Sequence, residues 1–282
     1  MRSSLFNHQI PMESHLTGMG NILDTIIQHK WVEVQQAKQT VAVKELECMP
    51  LFSRPSLSLR QALCDPASTG IIAEFKRRSP SKGQFQANAD PVAITTAYAE
   101  AGAAALSVLT DTQFFGGSNN DLVQARINPI PILRKDFVVD EYQIIEAKAM
   151  GADVILLIAA CLSPARVRTL AAFARSLQLE VLLEIHGEDE LDHICTETDL
   201  VGVNNRDLKT FAVDLNRSIE LAPKIGAGKI KVAESGISKP ESIHLLRVHG
   251  YQGFLIGEAF MKEADPALAF AGFVNQLKTA AA

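Results

Sequence analysis

Glu74 and Lys76 stand two residues apart where the apolar run Ile71-Ile72-Ala73 turns charged, and the chain then breaks into Arg77-Arg78-Ser79-Pro80-Ser81-Lys82-Gly83. In a strand, side chains alternate between faces, so an acid and a base at this spacing point the same way. An apolar run that ends in Ser, Pro and Gly reads as a buried strand opening into a polar loop. Unpaired charge is expensive to bury. Packing gives little reason for this pair, and a catalytic mouth does.

The same plan recurs downstream. Ile132-Leu133-Arg134-Lys135 ends a run in a lysine. Crowding by Arg134 and partial burial would lower its pKa towards proton donation; pairing with Asp136 at the rim is the structural alternative. Val181-Leu182-Leu183-Glu184 ends in a carboxylate suited to general acid or base work, or to an ion pair with a nearby lysine. His186 reads as an ordinary loop histidine and receives no role. Asn204 and Arg206 supply an amide and a guanidinium two residues apart. Arg206 can clamp a carboxylate through two parallel hydrogen bonds; a contact with Asp207 is the weaker alternative, because adjacent strand residues face apart. Glu234-Ser235-Gly236 and Gly257-Glu258 close two further runs with glycines whose N–H groups can approach an anion. Phe114-Phe115-Gly116-Gly117-Ser118 sets aromatics in a loop, either over an apolar ring or in a helix layer.

These residues need elements to hold them. Strand-like runs end at Glu74, Leu109, Lys135, Ile158, Glu184, Asn204, Glu234 and Ile256, with helix-like stretches between. Ser163-Pro164 and Asp265-Pro266 each place a cap before a first-turn proline. Ser238 with Glu241 reads as a capping box, and Gly102, Gly151 and Gly250 mark helix stops. The alternation predicts an α/β fold, a single (β/α)8 TIM barrel. An open doubly wound sheet is the runner-up, but no GxGxxG follows the first strand. In a barrel every strand finishes at the rim that carries the site. Glu74, Lys76, Lys135, Glu184, Asn204, Arg206, Glu234 and Ser235 then converge. The loops after the seventh and eighth strands form the common phosphate site of barrels, within reach of Lys76. Ahead of the barrel, Asn21 reads as an N-cap for a helix carrying Ile22, Leu23, Ile26, Ile27, Trp31 and Val34. A connector, Met49 to Pro55, leads to a second short helix near Leu57 to Leu63. Residues 21–282 thus form the barrel, its N-terminal helices lying within 21–66. Residues 1–20 read as a loose tail in which Met12 and Met19 are alternative starts.

Bulk composition narrows the classes. The chain has 282 residues, 47% of them hydrophobic, enough for one full core. A net charge of −5 gives no general attraction for nucleic acid or an anionic membrane. No apolar run approaches the roughly 20 residues that span a bilayer, and Met1 to Gly20 lacks the apolar core of a secretory signal. Cys48, Cys64, Cys161 and Cys195 form no CxxC pair. They read as reduced thiols in a reducing compartment, most simply the cytoplasm. No HExxH motif or Cys ligand set suggests a metal, and the lysines among the rim glutamates argue against Mg2+.

With these motifs in place, the chain resembles the indole-3-glycerol phosphate synthase family from about Asn21 to its end. The resemblance rests on IIAEFKRRSPSKG, SVLTD with FFGGS, ILRKDF, VLLEIH, GVNNRDL, ESGI and FLIGEAFM, in the family's order. It implies ring closure of 1-(2-carboxyphenylamino)-1-deoxyribulose 5-phosphate with loss of CO2 and water, without cofactor or metal. It also implies roles. Lys135 is the general acid at the carbonyl oxygen and Glu184 the second acid or base. Glu74 and Asn204 orient substrate and lysine, and Lys76 holds anionic groups and assists later steps. Ser79 and Arg206 contact the substrate. Glu234, Ser235, Gly236, Gly257 and Glu258 form the floor and phosphate end, and Phe115, Phe137 and Leu208 the wall around the aromatic ring. A monomer is the expected state, a dimer the alternative. The chain departs from the pattern at Asn119-Asn120, Ala233 and Ala259-Phe260, which bears on loop mobility and phosphate contacts. Another phosphate-binding barrel isomerase and a non-catalytic phosphate-ligand barrel are the competing readings. A separate proton donor and acceptor speak against the latter.

Overall fold

The computed structural model describes residues 22–208 and 210–279. The tail expected at 1–20 and the Asn21 cap lie outside the described residues. Strands β1 (Ile71–Phe75), β2 (Ala105–Leu109), β3 (Ile132–Lys135), β4 (Val154–Ile158), β5 (Glu180–Ile185), β6 (Leu200–Asn204), β7 (Ile230–Glu234) and β8 (Tyr251–Ile256) form one closed barrel. Every pairing is parallel, and β8 returns to β1 with Ile71 opposite Phe254. Closure excludes the open sheet.

Alternation sorts each strand. Ile72, Leu133, Leu182 and Val232 fill the barrel interior. Their neighbours Ile71, Ile132, Val181 and Ala233 pack outwards into the helix layer. Both strand faces are therefore apolar, as parallel strands covered by helices require. The surrounding helices are α4 (Pro91–Glu100), α5 (Asn119–Ala125), α6 (Glu141–Ala149), α7 (Pro164–Ser176), α8 (Asn216–Leu221), α9 (Pro240–Val248), α10 (Glu258–Met261) and α11 (Pro266–Thr279). Ser163 caps α7 by accepting from the Arg166 N–H, and Asp265 accepts from the Leu268 N–H at α11. The expected capping box at Ser238 is not formed. Helix α9 starts at Pro240 with Lys239 at the cap and no side-chain bond there, because Ser238 lies one residue too early. Gly102, Gly151 and Gly250 follow their helices in the left-handed region, where a side chain is disfavoured.

Among the described residues three helices precede the barrel: α1 (Ile22–Thr40), α2 (Val43–Glu47) and α3 (Leu59–Cys64). The sequence reading had no counterpart for α2. Leu59 and Leu63 of α3 join the interior cluster and stopper the barrel's lower end; burial of each is worth about 1.5–3 kcal/mol. Asp153 stands beside them, fully buried. It accepts from the Leu57 N–H at 2.7 Å and the Ile132 N–H at 2.8 Å, and pairs with Arg54 and Arg126. At the upper end α1 is tied down by Lys30. This buried ammonium lies 3.0 Å from both Asp111 and Asp136 and also pairs with Glu33. Asp111 in turn accepts from the Phe114 and Phe115 N–H groups, which shapes the aromatic loop.

Candidate active site

Two residues above the apolar layer, each odd-numbered strand turns a charged side chain inwards: Glu74 on β1, Lys135 on β3, Glu184 on β5 and Glu234 on β7. Alternate strands of a barrel contribute one interior layer, so these four share a level. Lys135 Nζ lies 3.4 Å from Glu184 Oε2 and 3.9 Å from Glu234 Oε2. Lys76 Nζ pairs with Glu74 Oε1 at 2.7 Å. From β6, the Asn204 amide donates to Glu184 Oε1 at 3.0 Å. Glycines make the room. A Cβ at Gly202 would meet Glu234 Oε1 at 2.1 Å, and one at Gly257 would meet Glu74 Oε1 at 2.4 Å.

The layer sets its own protonation. Burial works against the Lys135 charge, but Glu184, Glu234 and Glu74 outweigh it and raise its pKa. This corrects the expectation that crowding lowers it. Arg134 points outwards to Glu146, at 2.6 Å, and Asp136, so it does not crowd its neighbour. Asp136 is likewise engaged by Lys30 and Arg134, which leaves Lys135 to the interior. Glu184 is held below the ordinary carboxylate range. Burial opposes this, and Lys135, His186 and the Asn204 amide overcome it. Glu234 is pushed up to about 8 by burial and by Glu184, with Lys135 opposing. Two carboxylates around one lysine thus divide into an ionised and a protonated member.

A cavity of about 440 Å³ opens above the layer. Its walls include Ser79, Phe115, Phe137, Arg206 and Leu208. The Phe115 and Phe137 ring centroids are 6.1 Å apart. Arg206 does not pair with Asp207 through its guanidinium; its Nη2 lies 2.8 Å from Glu258 Oε2. Ser235, Gly236, Gly257 and Glu258 line the far end. Ser235 and Gly236 both have left-handed backbones, φ 64° and 79°. A side chain at Gly236 would also strike Val213. Left-handed backbone at a non-glycine such as Ser235 is costly and clusters at binding sites.

All the residues to which the family resemblance assigns a role therefore border one cavity. The sequence reading missed its roof and one neighbour. Ile22, Leu23 and Ile26 of α1 line it, a turn or two before Lys30. His186 Nε2 lies 3.2 Å from Glu184 Oε1. Among the described residues no group of three His, Cys, Asp or Glu could hold a metal ion.

A cup of opposed acids and bases at the C-terminal rim defines a (β/α)8-barrel enzyme built for proton transfer on a small ligand. The family model for indole-3-glycerol phosphate synthase matches residues 23–273, and the chain belongs to that family. An indole-3-glycerol phosphate synthase of Bacteroides thetaiotaomicron is 46% identical over 261 residues, covering 92% of this chain and all of that one. One from Bordetella pertussis is 47% identical over 261 residues, covering 91% and 100%. A solved structure described as "Native KDPGal structure" superposes with a TM-score of 0.54 at 14% identity, covering 75% of this chain and 93% of that one; it speaks for the fold alone.

Proposed function

We propose that the chain is a carbon–carbon lyase that closes the ring of 1-(2-carboxyphenylamino)-1-deoxy-D-ribulose 5-phosphate, releasing CO2 and water to give indole-3-glycerol phosphate. The observation that carries this is Lys135, a part-buried ammonium held between Glu184 and Glu234 beneath a cavity with one aromatic wall and one glycine-lined end. The substrate has matching parts: a ring, a carboxylate and a phosphate.

Each residue has a task. As the ring carbon bearing the carboxylate attacks the ribulose carbonyl, negative charge develops on that oxygen, and the Lys135 ammonium neutralises and protonates it. A lysine with a raised pKa is a weak acid towards water but remains charged until the oxygen needs it. CO2 departs as the benzene ring regains aromaticity. The new hydroxyl then leaves as water with a proton passed through Glu184, which is ionised at rest, and the carbon next to nitrogen gives one up. Asn204 holds the Glu184 carboxylate, and Glu74 holds Lys76, which faces the substrate's anionic groups. Phe115, Phe137 and Leu208 flank the ring. Ser79 and Arg206 contact the substrate, with Glu258 fixing the guanidinium. Glu234 forms the floor, and Ser235, Gly236 and Gly257 receive the phosphate.

Every role assigned above falls on one chain, which supports a monomer. Cys48 and Cys64 are exposed free thiols, which fits a reducing cytoplasm. Indole fluorescence generated from the anthranilate-bearing substrate tests the reading. An isomerase or a passive ligand barrel cannot make indole, and its failure to appear overturns the assignment.

A further inference from the structure

We propose that His186 is a proton relay acting through Glu184: it hands Glu184 the proton that dehydration consumes and is recharged through Glu190. This rests on the reaction assigned above. His186 does not border the cavity and touches no reacting atom.

The path is visible in the geometry. Glu184 and His186 are two residues apart at the end of β5, so their side chains leave the same face. His186 Nε2 lies 3.2 Å from Glu184 Oε1, and Nδ1 lies 3.4 Å from Glu190 Oε2. The imidazole thus stands between the two carboxylates, one ring nitrogen facing each. The His186 backbone N–H donates to Glu190 Oε2 at 2.6 Å and fixes that carboxylate. Glu190 belongs to the 3-10 turn Glu188–His193. Side-chain exposure rises along the path, from 3% at Glu184 to 14% at His186 and Glu190.

The neighbours leave the route clear. Lys135 and Asn204 approach Glu184 from β3 and β6. Cys161, in the turn after β4, has its thiol pushed up by burial and then by Glu184, Glu190 and Asp24 of α1, so it stays neutral. His193 is committed to the Glu190 and Leu162 carbonyls. Burial disfavours charge on His186, but Glu184 and Glu190 outweigh it and raise its pKa to about 9. The imidazole is therefore charged at neutral pH, a proton stored beside an ionised Glu184.

The reaction needs that proton. Two protons go to the carbonyl oxygen, which leaves as water, and one returns from the carbon next to nitrogen. The balance is one proton taken up per turnover, because an ionised carboxylate departs as neutral CO2. Lys135 supplies the first, as the carbon–carbon bond forms. The second is required when the carbon–oxygen bond breaks, while substrate still fills the cavity. His186 to Glu184 to the leaving hydroxyl supplies it from the side away from the substrate. Solvent then recharges His186 through Glu190.

The test separates the two halves of one turnover. With excess enzyme, CO2 release and indole formation are followed together by stopped flow. His186→Gln keeps a polar group beside Glu184 but carries no proton. We expect CO2 release within about twofold of the unmodified protein, indole formation slowed about tenfold, and added imidazole restoring part of the loss. Glu190→Gln, in the surface turn, is expected to show the same split and serves if the histidine variant does not fold. CO2 and indole slowing together, neither slowing, or a split that imidazole leaves untouched overturns the relay. If the unmodified protein releases CO2 but forms no indole, or does neither, the assigned reaction itself falls.

Discussion

Glu184 Oε2 lies 3.4 Å from Lys135 Nζ although 49 residues separate them in the chain. The meeting follows from barrel arithmetic. Both residues sit on odd-numbered strands, two positions above apolar interior residues, Leu133 and Leu182, so their side chains share one interior layer. An interior layer of a barrel is usually filled by branched apolar residues. Here Glu74, Lys135, Glu184 and Glu234 take those places. Their mutual pairing makes the exchange tolerable, since removing one partner leaves a buried charge unmatched.

Loss of either member of the pair should stop chemistry rather than folding. Lys135→Ala and Glu184→Gln are each expected to lower kcat at least about 100-fold, the usual loss for a general acid or base. Circular dichroism should report an intact barrel. Steady-state indole fluorescence checks this, and near-normal rates in both variants would remove the mechanism.

Gly257 tests whether the rim needs empty space. Its φ is −131°, which any residue adopts, so backbone strain is not at issue. A Cβ there would sit 2.4 Å from Glu74 Oε1 and 2.8 Å from Glu74 Cβ. Gly257→Ala must push Glu74 away from Lys76. The expected outcome is a rise in KM together with a fall in kcat of about tenfold, because small misplacements at a reacting centre cost one to two orders of magnitude. Unchanged kinetics would mean that Glu74 is free to shift without consequence.

Much of this was legible because charge at strand ends is a local signal. The strand termini expected at Leu109, Lys135, Ile158, Asn204, Glu234 and Ile256 are those of the barrel, while β1 and β5 each run one residue further, to Phe75 and Ile185. The less legible features are also local and lie in helical periodicity. Lys30 lies four residues after Ile26 and four before Val34, on the buried stripe of α1. A charge on that stripe called for buried partners, and Asp111 and Asp136 are those partners. His186 shares a face with Glu184 by the same alternation that joins Glu74 and Lys76, although its place beyond the apolar run reads as a loop. The direction of the Lys135 pKa is hidden from the sequence for a different reason. Neighbours in sequence face apart on a strand, so Arg134 belongs to another environment. Which strands bring carboxylates to Lys135 is a question of closure, and no local pattern answers it. The Arg206–Glu258 pair has the same origin, since β6 and β8 are not sequence neighbours.

Asp153 should show the opposite behaviour to Lys135. It lies at the lower end, where barrel residues serve stability. It satisfies two backbone N–H groups and two guanidinium groups. Asp153→Ala leaves buried positive charge unpaired, a loss of about 3–5 kcal/mol. For a chain of this size that lowers Tm by on the order of 10 °C. At a temperature where the variant is still folded, kcat should stay within about twofold. Thermal unfolding alongside the fluorescence assay decides it, and a stable but inactive variant would place Asp153 in the wrong role.

Glu234 gives the molecule a distinctive pH dependence of stability. Its folded pKa is raised from 4.5 to about 8, by burial first and by the ionised Glu184 second. Between those two values the folded state binds a proton that the unfolded chain has already lost. Stability from this group is therefore fully present below about pH 4.5 and declines as pH rises towards 8. His186, raised to about 9, declines in the same direction but is present in both proteins compared here. Glu234→Gln keeps a neutral side chain of similar shape and removes the titration. The variant should match the unmodified protein near pH 5 and exceed it in stability at pH 8.5. Urea midpoints measured across that range give the comparison. A gap that stays constant with pH would show that Glu234 is ionised throughout, and that Lys135 rather than burial governs its proton.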